Sequence, residues 1–214
     1  SLPDFDPNER QNLTDVNYIN RVTKGTYELG SVFKAFTFAS ALNEKLIKPE
    51  TEFLDLPKSI NCYGFPIREY DNEIPSDLTA KQIFVRSGNI GSVRIAQKVG
   101  PEKFKSFLEK IGVLSDIQFD IEEVAPQKKY NFGKCKLATA SFGHGVATTI
   151  LQLAKGYAIL SNGGYDIKPT LVQNNLTKKT KKKKLLNEGV SEQVVNALRK
   201  IVSTEEGTAK FADV

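Results

Sequence analysis

Apolar positions run with little interruption from Ser31 to Leu46, reading S-V-F-K-A-F-T-F-A-S-A-L-N-E-K-L. Length and good helix formers predict a helix rather than a strand. Apolar residues lie all round it, which predicts burial on most faces. From Ser76 or Thr79 a helical pattern runs to Val85 and stops at Ser87-Gly88-Asn89. A second follows from Ile90 to Val99, and a third from Glu102 to Ile111, with Phe104, Phe107 and Leu108 on one face and Gly112 as its stop. A long apolar helix is expected from Thr148 to Asn162, ending at Gly163-Gly164, a strand from Ile167 to Gln173, and a last helix from Ser191 to Ser203. The stripe of that last helix is Val194, Val195, Leu198, Ile201 and Val202.

Between these elements the pattern fades. Ser1 to Asn20 reads as an extended surface segment. Leu46 to Pro75 is loop-rich and punctuated by prolines, with Cys62-Tyr63-Gly64-Phe65 as a possible short hairpin, and Gln118 to Asn131 is irregular. The lysine run Lys178 to Lys184 reads as a solvated hairpin loop.

Two features of the first helix break local rules. Lys34 lies about one turn from the helix start, where the dipole disfavours a cation. It also shares a helical face with Ser31, Phe38 and Leu42. An ammonium in apolar surroundings is costly, so its pKa should fall. A neutral amine beside a hydroxyl is a general base beside a nucleophile. The plain alternative, an N-capping Ser31 and a Lys34 that snorkels to water, accounts for the tetrapeptide equally well.

The chain has 214 residues, 40% hydrophobic and 26% charged, an ordinary globular composition. No apolar run is long enough to span a membrane. With no Met, the chain is expected to be a piece of a longer one. Cys62 and Cys135 could form a disulfide or be two small core residues, and the second reading is preferred. No cofactor loop and no Cys/His cluster with metal spacing occurs, so neither cofactor nor metal is expected. His144, the only histidine, sits between two glycines and is read as structural or pocket-lining.

Ser87-Gly88-Asn89 places a second hydroxyl and an amide on a turn between helices. S-x-x-K at a buried helix start followed by S-x-N between helices matches the signature of penicillin-binding proteins and class A β-lactamases. The flanks extend the match. Tyr27-Glu28-Leu29-Gly30-Ser31-Val32-Phe33-Lys34 resembles the Y-E-P-G-S-x-x-K segment of class B penicillin-binding proteins, and Ser87-Gly88-Asn89-Ile90-Gly91 resembles their S-S-N-x-G. Ser141-Phe142-Gly143-His144-Gly145, Leu151-Gln152-Leu153-Ala154, Asn162-Gly163-Gly164 and Glu206-Gly207-Thr208-Ala209 are similar to further family segments in the same order. The departures are Leu29 for Pro, Gly88 for Ser and His144 for Gln. The family's K-T-G strand is absent, and Lys24-Gly25-Thr26 is a scrambled decoy in the wrong place.

The resemblance implies a serine β-lactamase/transpeptidase-like α/β fold, a helical subdomain packed on an antiparallel sheet. It also implies that residues 1–214 are a partial transpeptidase domain cut before K-T-G. The implied activity is D,D-transpeptidation of peptidoglycan stem peptides, with a role in septum formation. Ser31 would be the nucleophile, Lys34 its base and Ser87 the proton relay. Asn89 would clamp Lys34 and the substrate amide, and Gly143 and His144 would line the substrate site. The partners implied are lipid-linked precursor strands, β-lactams as covalent inhibitors and cell-division membrane proteins, without nucleic acid. The location implied is the periplasmic face of the inner membrane, with an anchor upstream. The piece alone is expected to be nearly inactive. The rivals are a β-lactamase or penicillin sensor using Glu122 or Glu123, a Ser-Lys amidase on another fold, and a basic module binding anionic surfaces through Lys178 to Lys184.

Overall fold

A computed structural model of the chain describes residue 8 and residues 19–120, 123–124, 130–172 and 183–212. Its centre is helix α1, Lys34–Asn43, with all ten residues buried. The helix stops at Asn43 rather than 46, because Lys45 takes a positive φ of 56° and turns the chain away. Helices α2 (Ala80–Val85), α3 (Asn89–Val99), α4 (Pro101–Lys110) and α7 (Val190–Ser203) all pack on α1. The core between them is rich in aromatic rings. Phe33 and Phe36 meet edge to face at 5.3 Å, and Phe38 stacks on Phe84 at 5.2 Å.

Two helices start with the same device. Thr79 caps α2 and Thr149 caps α6 (Ile150–Ser161), each in a reciprocal capping box with a glutamine three residues on, Gln82 and Gln152. The apolar helix expected from Thr148 therefore begins two residues later. Thr148 and Thr149 belong to strand β8 (Ala147–Thr149), which pairs antiparallel with β1 (Thr26–Glu28), Thr26 opposite Thr149. Helix α5 (Lys134–Ala140) precedes that strand.

Among the described residues the antiparallel pairing expected is present as four short pairs. Besides β1 with β8, β2 (Glu52–Phe53) pairs with β5 (Leu78–Thr79), and β3 (Ser59–Cys62) with β4 (Phe65–Arg68). The fourth pair, β6 (Ile117–Gln118) with β7 (Glu123–Val124), lies in the stretch expected to be irregular. The hairpin at Cys62-Tyr63-Gly64-Phe65 forms as the pattern suggests.

Several expectations need correction. Cys62 and Cys135 are a disulfide, with Cα atoms 5.5 Å apart, not two free core residues. Residues 167–172 form no strand; a strand needs a ladder partner as well as the right residues, and among the described residues the pairing nearby is an isolated bridge between Tyr165 and Lys184. The stripe of α7 holds at Val194, Leu198 and Ile201, which face the core with Val190 and Ala197, but Val195 is exposed. Most of the N-terminal segment to Asn20, and Lys178 to Lys182, lie outside the described residues, as do Glu122 and the Glu123 side chain. Among the described residues no helix is long and apolar enough to cross a membrane.

Candidate active site

The β1–β8 pair delivers the chain to a single turn of 3-10 helix, Gly30–Phe33, which runs straight into α1. A 3-10 turn eclipses side chains at i and i+3. It thereby stacks exposed Ser31 over Lys34, whose residue is only 2% exposed. Lys34 Nζ donates to Ser31 Oγ at 3.2 Å. It also donates to Ser87 Oγ at 2.9 Å and to the Ser87 carbonyl at 2.5 Å. These three bonds use every donor of an ammonium. Burial holds the Lys34 amine down to about 8, with the Glu69 carboxylate pulling in the opposite direction. A proton can therefore leave this lysine near neutral pH, and the freed lone pair faces two serine hydroxyls.

The Ser31 turn is braced from behind. Gly143, buried and at φ +81°, packs on Gly30: its carbonyl accepts from Gly30 N–H at 3.4 Å, and a Cβ at Gly143 would come within 2.2 Å of Gly30 O. Thr37 Oγ1 donates to the Ser141 carbonyl at 2.7 Å, docking the same loop on α1. On another side Tyr157 of α6 donates its hydroxyl to the Val32 carbonyl at 2.6 Å. What the structure shows of Gly143 is thus a packing role. His144 is exposed, its ring 5.9 Å from that of Phe142.

Ser87 lies in the turn between α2 and α3, half-buried and at φ +55°, a left-handed conformation unusual for serine. Asn89 opens α3, but its amide does not reach Lys34. Among the described residues Lys34 Nζ donates to Ser31 and Ser87, whereas Asn89 Nδ2 donates to the Arg68 carbonyl at 2.9 Å. The Glu69 carboxylate accepts from the backbone N–H of Asn89 and of Ile90, at 2.5 and 2.9 Å.

The four residues read from the motifs thus come together, with Lys34 joining the two serines and Asn89 at the next turn. Glu69, Thr37 and Tyr157 were missed. Thr37 had a visible signal, a lone threonine inside an apolar helical run. Glu69 had none, because it lies in a proline-punctuated loop and reaches the site only through the hairpin. Among the described residues there is no acid, His or Cys cluster able to hold a metal.

A buried lysine shares its amine between two serine hydroxyls, one of them exposed at a helix start, so the amine, once neutral, is a base beside two hydroxyl groups. The penicillin binding protein transpeptidase domain model matches residues 1–214, and the chain belongs to that family. It is similar to the probable peptidoglycan D,D-transpeptidase FtsI of Caulobacter vibrioides, 28% identical over 217 residues, which cover 100% of this chain and 36% of that protein. It is also similar to the peptidoglycan D,D-transpeptidase FtsI homolog of Chlorokybus atmophyticus, 31% identical over 189 residues, covering 80% of this chain and 28% of that protein. Of solved structures, the transpeptidase domain of Burkholderia pseudomallei penicillin-binding protein 3 superposes with a TM-score of 0.82 at 25% identity, over 91% of this chain and 59% of that one. The chain spans about a third of the length of these curated relatives.

Proposed function

We propose that this chain carries the acyl-serine machinery of a peptidoglycan D,D-transpeptidase that works in septum formation at the periplasmic face of the inner membrane. The observation that carries the reading is one buried amine within hydrogen-bond distance of both Ser31 Oγ and Ser87 Oγ. Neutral Lys34 takes the Ser31 proton as Oγ attacks the carbonyl of the penultimate D-Ala of a stem peptide. The C–N bond then breaks, and Ser87 passes a proton from Lys34 to the leaving D-Ala amine. An amine of a neighbouring strand later displaces Ser31 from the acyl-enzyme. Asn89 turns its amide to the substrate backbone once the substrate is bound, and exposed His144 lines the substrate site while buried Gly143 braces the Ser31 turn beneath it. Lipid-linked precursor strands are the substrates, β-lactams acylate the same serine, and division-associated membrane proteins are the partners.

K-T-G occurs nowhere in the 214 residues. We take the Ser31 N–H as one oxyanion donor; the family resemblance implies a second donor and a carboxylate dock on a K-T-G strand. Without such a strand, residues 1–214 alone should acylate about 10²–10³-fold more slowly than the full-length protein.

The test is labelling of the full-length protein by a fluorescent penicillin, with intact mass. We expect label on wild type and none on Ser31→Ala. The acylation rate should climb with pH through about 8, because only the unprotonated Lys34 can accept the serine proton. A folded wild-type protein that stays unlabelled would refute the acyl-serine reading.

A further inference from the structure

We propose that Glu69 is a positioning residue that holds the Ser87 turn against Lys34 by capping α3 from the neighbouring hairpin. The proposal rests on the acyl-serine reading above and adds a residue to it.

A helix of this length starts with unsatisfied N–H groups, ordinarily met by a side chain at the N-cap. The N-cap of α3 is Gly88, which has no side chain to offer. The missing acceptor comes from twenty residues upstream, where the two oxygens of Glu69 take the N–H groups of Asn89 and Ile90. Glu69 lies close to Gly88: a Cβ there would sit 3.6 Å from Glu69 Oε1, in ordinary van der Waals contact. The residues beside Glu69 grip the same turn. The Arg68 carbonyl accepts from the Asn89 amide at 2.9 Å, and the Tyr70 hydroxyl donates to the Arg86 carbonyl at 3.1 Å. Residues 68–70 thus bind positions 86, 89 and 90 and bracket Ser87 on both sides.

The bracket answers a physical need. Ser87 at φ +55° costs free energy that surrounding contacts must offset. Without them the turn relaxes, and Ser87 Oγ and its carbonyl leave Lys34 together. The carboxylate also sets the field at the amine. Glu69 faces the Lys34–Ser87 corner from the hairpin side, with Tyr70 beside it. Arg86, on the α2 side, is held by Glu206 at 2.8 Å. Glu69 is the charged group that favours the Lys34 ammonium. Removing its charge should therefore move Lys34 deprotonation to lower pH.

The experiment uses the full-length protein as wild type, Glu69→Gln and Glu69→Gln/Gly88→Ser. Penicillin acylation of Ser31 is followed across pH, and the Lys34 side chain is titrated by NMR, assigned with Lys34→Met. Glu69→Gln should lower the high-pH plateau about tenfold, as a mispositioned relay does. It should also move both the rising limb and the Lys34 titration to lower pH. Gly88→Ser restores an N-cap oxygen and should recover much of the plateau while leaving the limb shifted, because the charge is still absent. A Lys34 titration unmoved in Glu69→Gln overturns the proposal, whether or not any protein is labelled. So does a wild-type plateau in Glu69→Gln, or a lowered plateau that Gly88→Ser leaves unchanged. Wild type that stays unlabelled while Lys34 titration shifts as expected refutes the acyl-serine reading and supports the placement of Glu69 beside the amine.

Discussion

The two turns that meet at Lys34 are held in opposite ways. The Ser31 turn is fixed by its own neighbourhood of backbone: the β1–β8 pair before it, buried α1 after it, and Gly143 pressed on Gly30 behind it. The Ser87 turn has a left-handed serine, a helix start whose own N-cap is glycine, and support from a hairpin whose β3 and β4 strands are largely exposed. One turn is rigid because nothing larger than hydrogen fits at Gly143. The other stays in place because polar groups hold it there. The Ser31 turn should therefore respond to volume, and the Ser87 turn to charge, hydrogen bonds and tethering.

The largest effect should come from adding a methyl group to the first turn. In Gly143→Ala the Cβ would lie 2.2 Å from Gly30 O and 2.8 Å from Phe33 Cβ, at a φ of +81° that alanine disfavours. The turn must move, and a displacement of about 1 Å at a nucleophile costs on the order of 10²-fold in rate. We expect penicillin acylation to fall by about that factor, with a lower melting temperature. Gly88→Ala is the matched control, since its Cβ meets nothing closer than 3.6 Å. It should stay within about threefold of wild type, because the added methyl meets only ordinary van der Waals contact. Equal losses in the two variants would abolish the contrast.

The same contrast explains what could be read beforehand. Ser31, Lys34, Ser87 and Asn89 were legible because chemistry fixes short motifs and the motifs follow one another in order. Helices α2, α3, α4 and α7 were legible because capping residues and apolar periodicity are local. The supports of the Ser87 turn were not. Glu69 reaches α3 across twenty residues, and no pattern around it marks an acid as a cap. Cys62 and Cys135 are 73 residues apart, and two cysteines alone do not reveal that a hairpin and a helix face each other. The strand expected at 167–173 had the right residue types, but pairing is a tertiary property that local preference does not carry.

Breaking the tether comes next in size. The Cys62–Cys135 bond joins β3 to α5, so it secures the hairpin that ends in Arg68 and Glu69. Closing a loop of that span removes unfolded-state entropy worth about 4 kcal/mol on the chain model, with measured values more often about 2–4 kcal/mol. In Cys62→Ser/Cys135→Ser the denaturation midpoint should drop accordingly. Acylation of the protein that remains folded should slow about fivefold, through the Ser87 turn. Reduction of wild type should reproduce both changes, and the double variant should be indifferent to reductant. A stability loss with a wild-type acylation rate would show that the hairpin holds the Ser87 turn without its tether.

The smallest effect should come from the tyrosine on the rigid turn. Tyr157→Phe deletes one hydrogen bond, to the Val32 carbonyl, and keeps the ring, which meets Phe36 edge to face at 5.3 Å. A single neutral hydrogen bond contributes about 1 kcal/mol, and the packing at Gly143 remains. Acylation should change by less than about threefold, because the turn is over-determined. The pH dependence makes this small effect identifiable. Burial pushes the Tyr157 hydroxyl up to about 12, whereas an unfolded tyrosine loses its proton near pH 10. Between those values the unfolded chain holds fewer protons at this group than the fold does. Its contribution to stability is therefore complete below pH 10 and falls as pH rises towards 12. Other groups titrate there too, so the quantity to measure is the difference in urea midpoint between wild type and Tyr157→Phe at pH 9 and at pH 11.5. That difference should shrink at the higher pH, as ionisation erodes the wild-type advantage. A difference independent of pH would mean that Tyr157 supports the nucleophile turn through its ring alone.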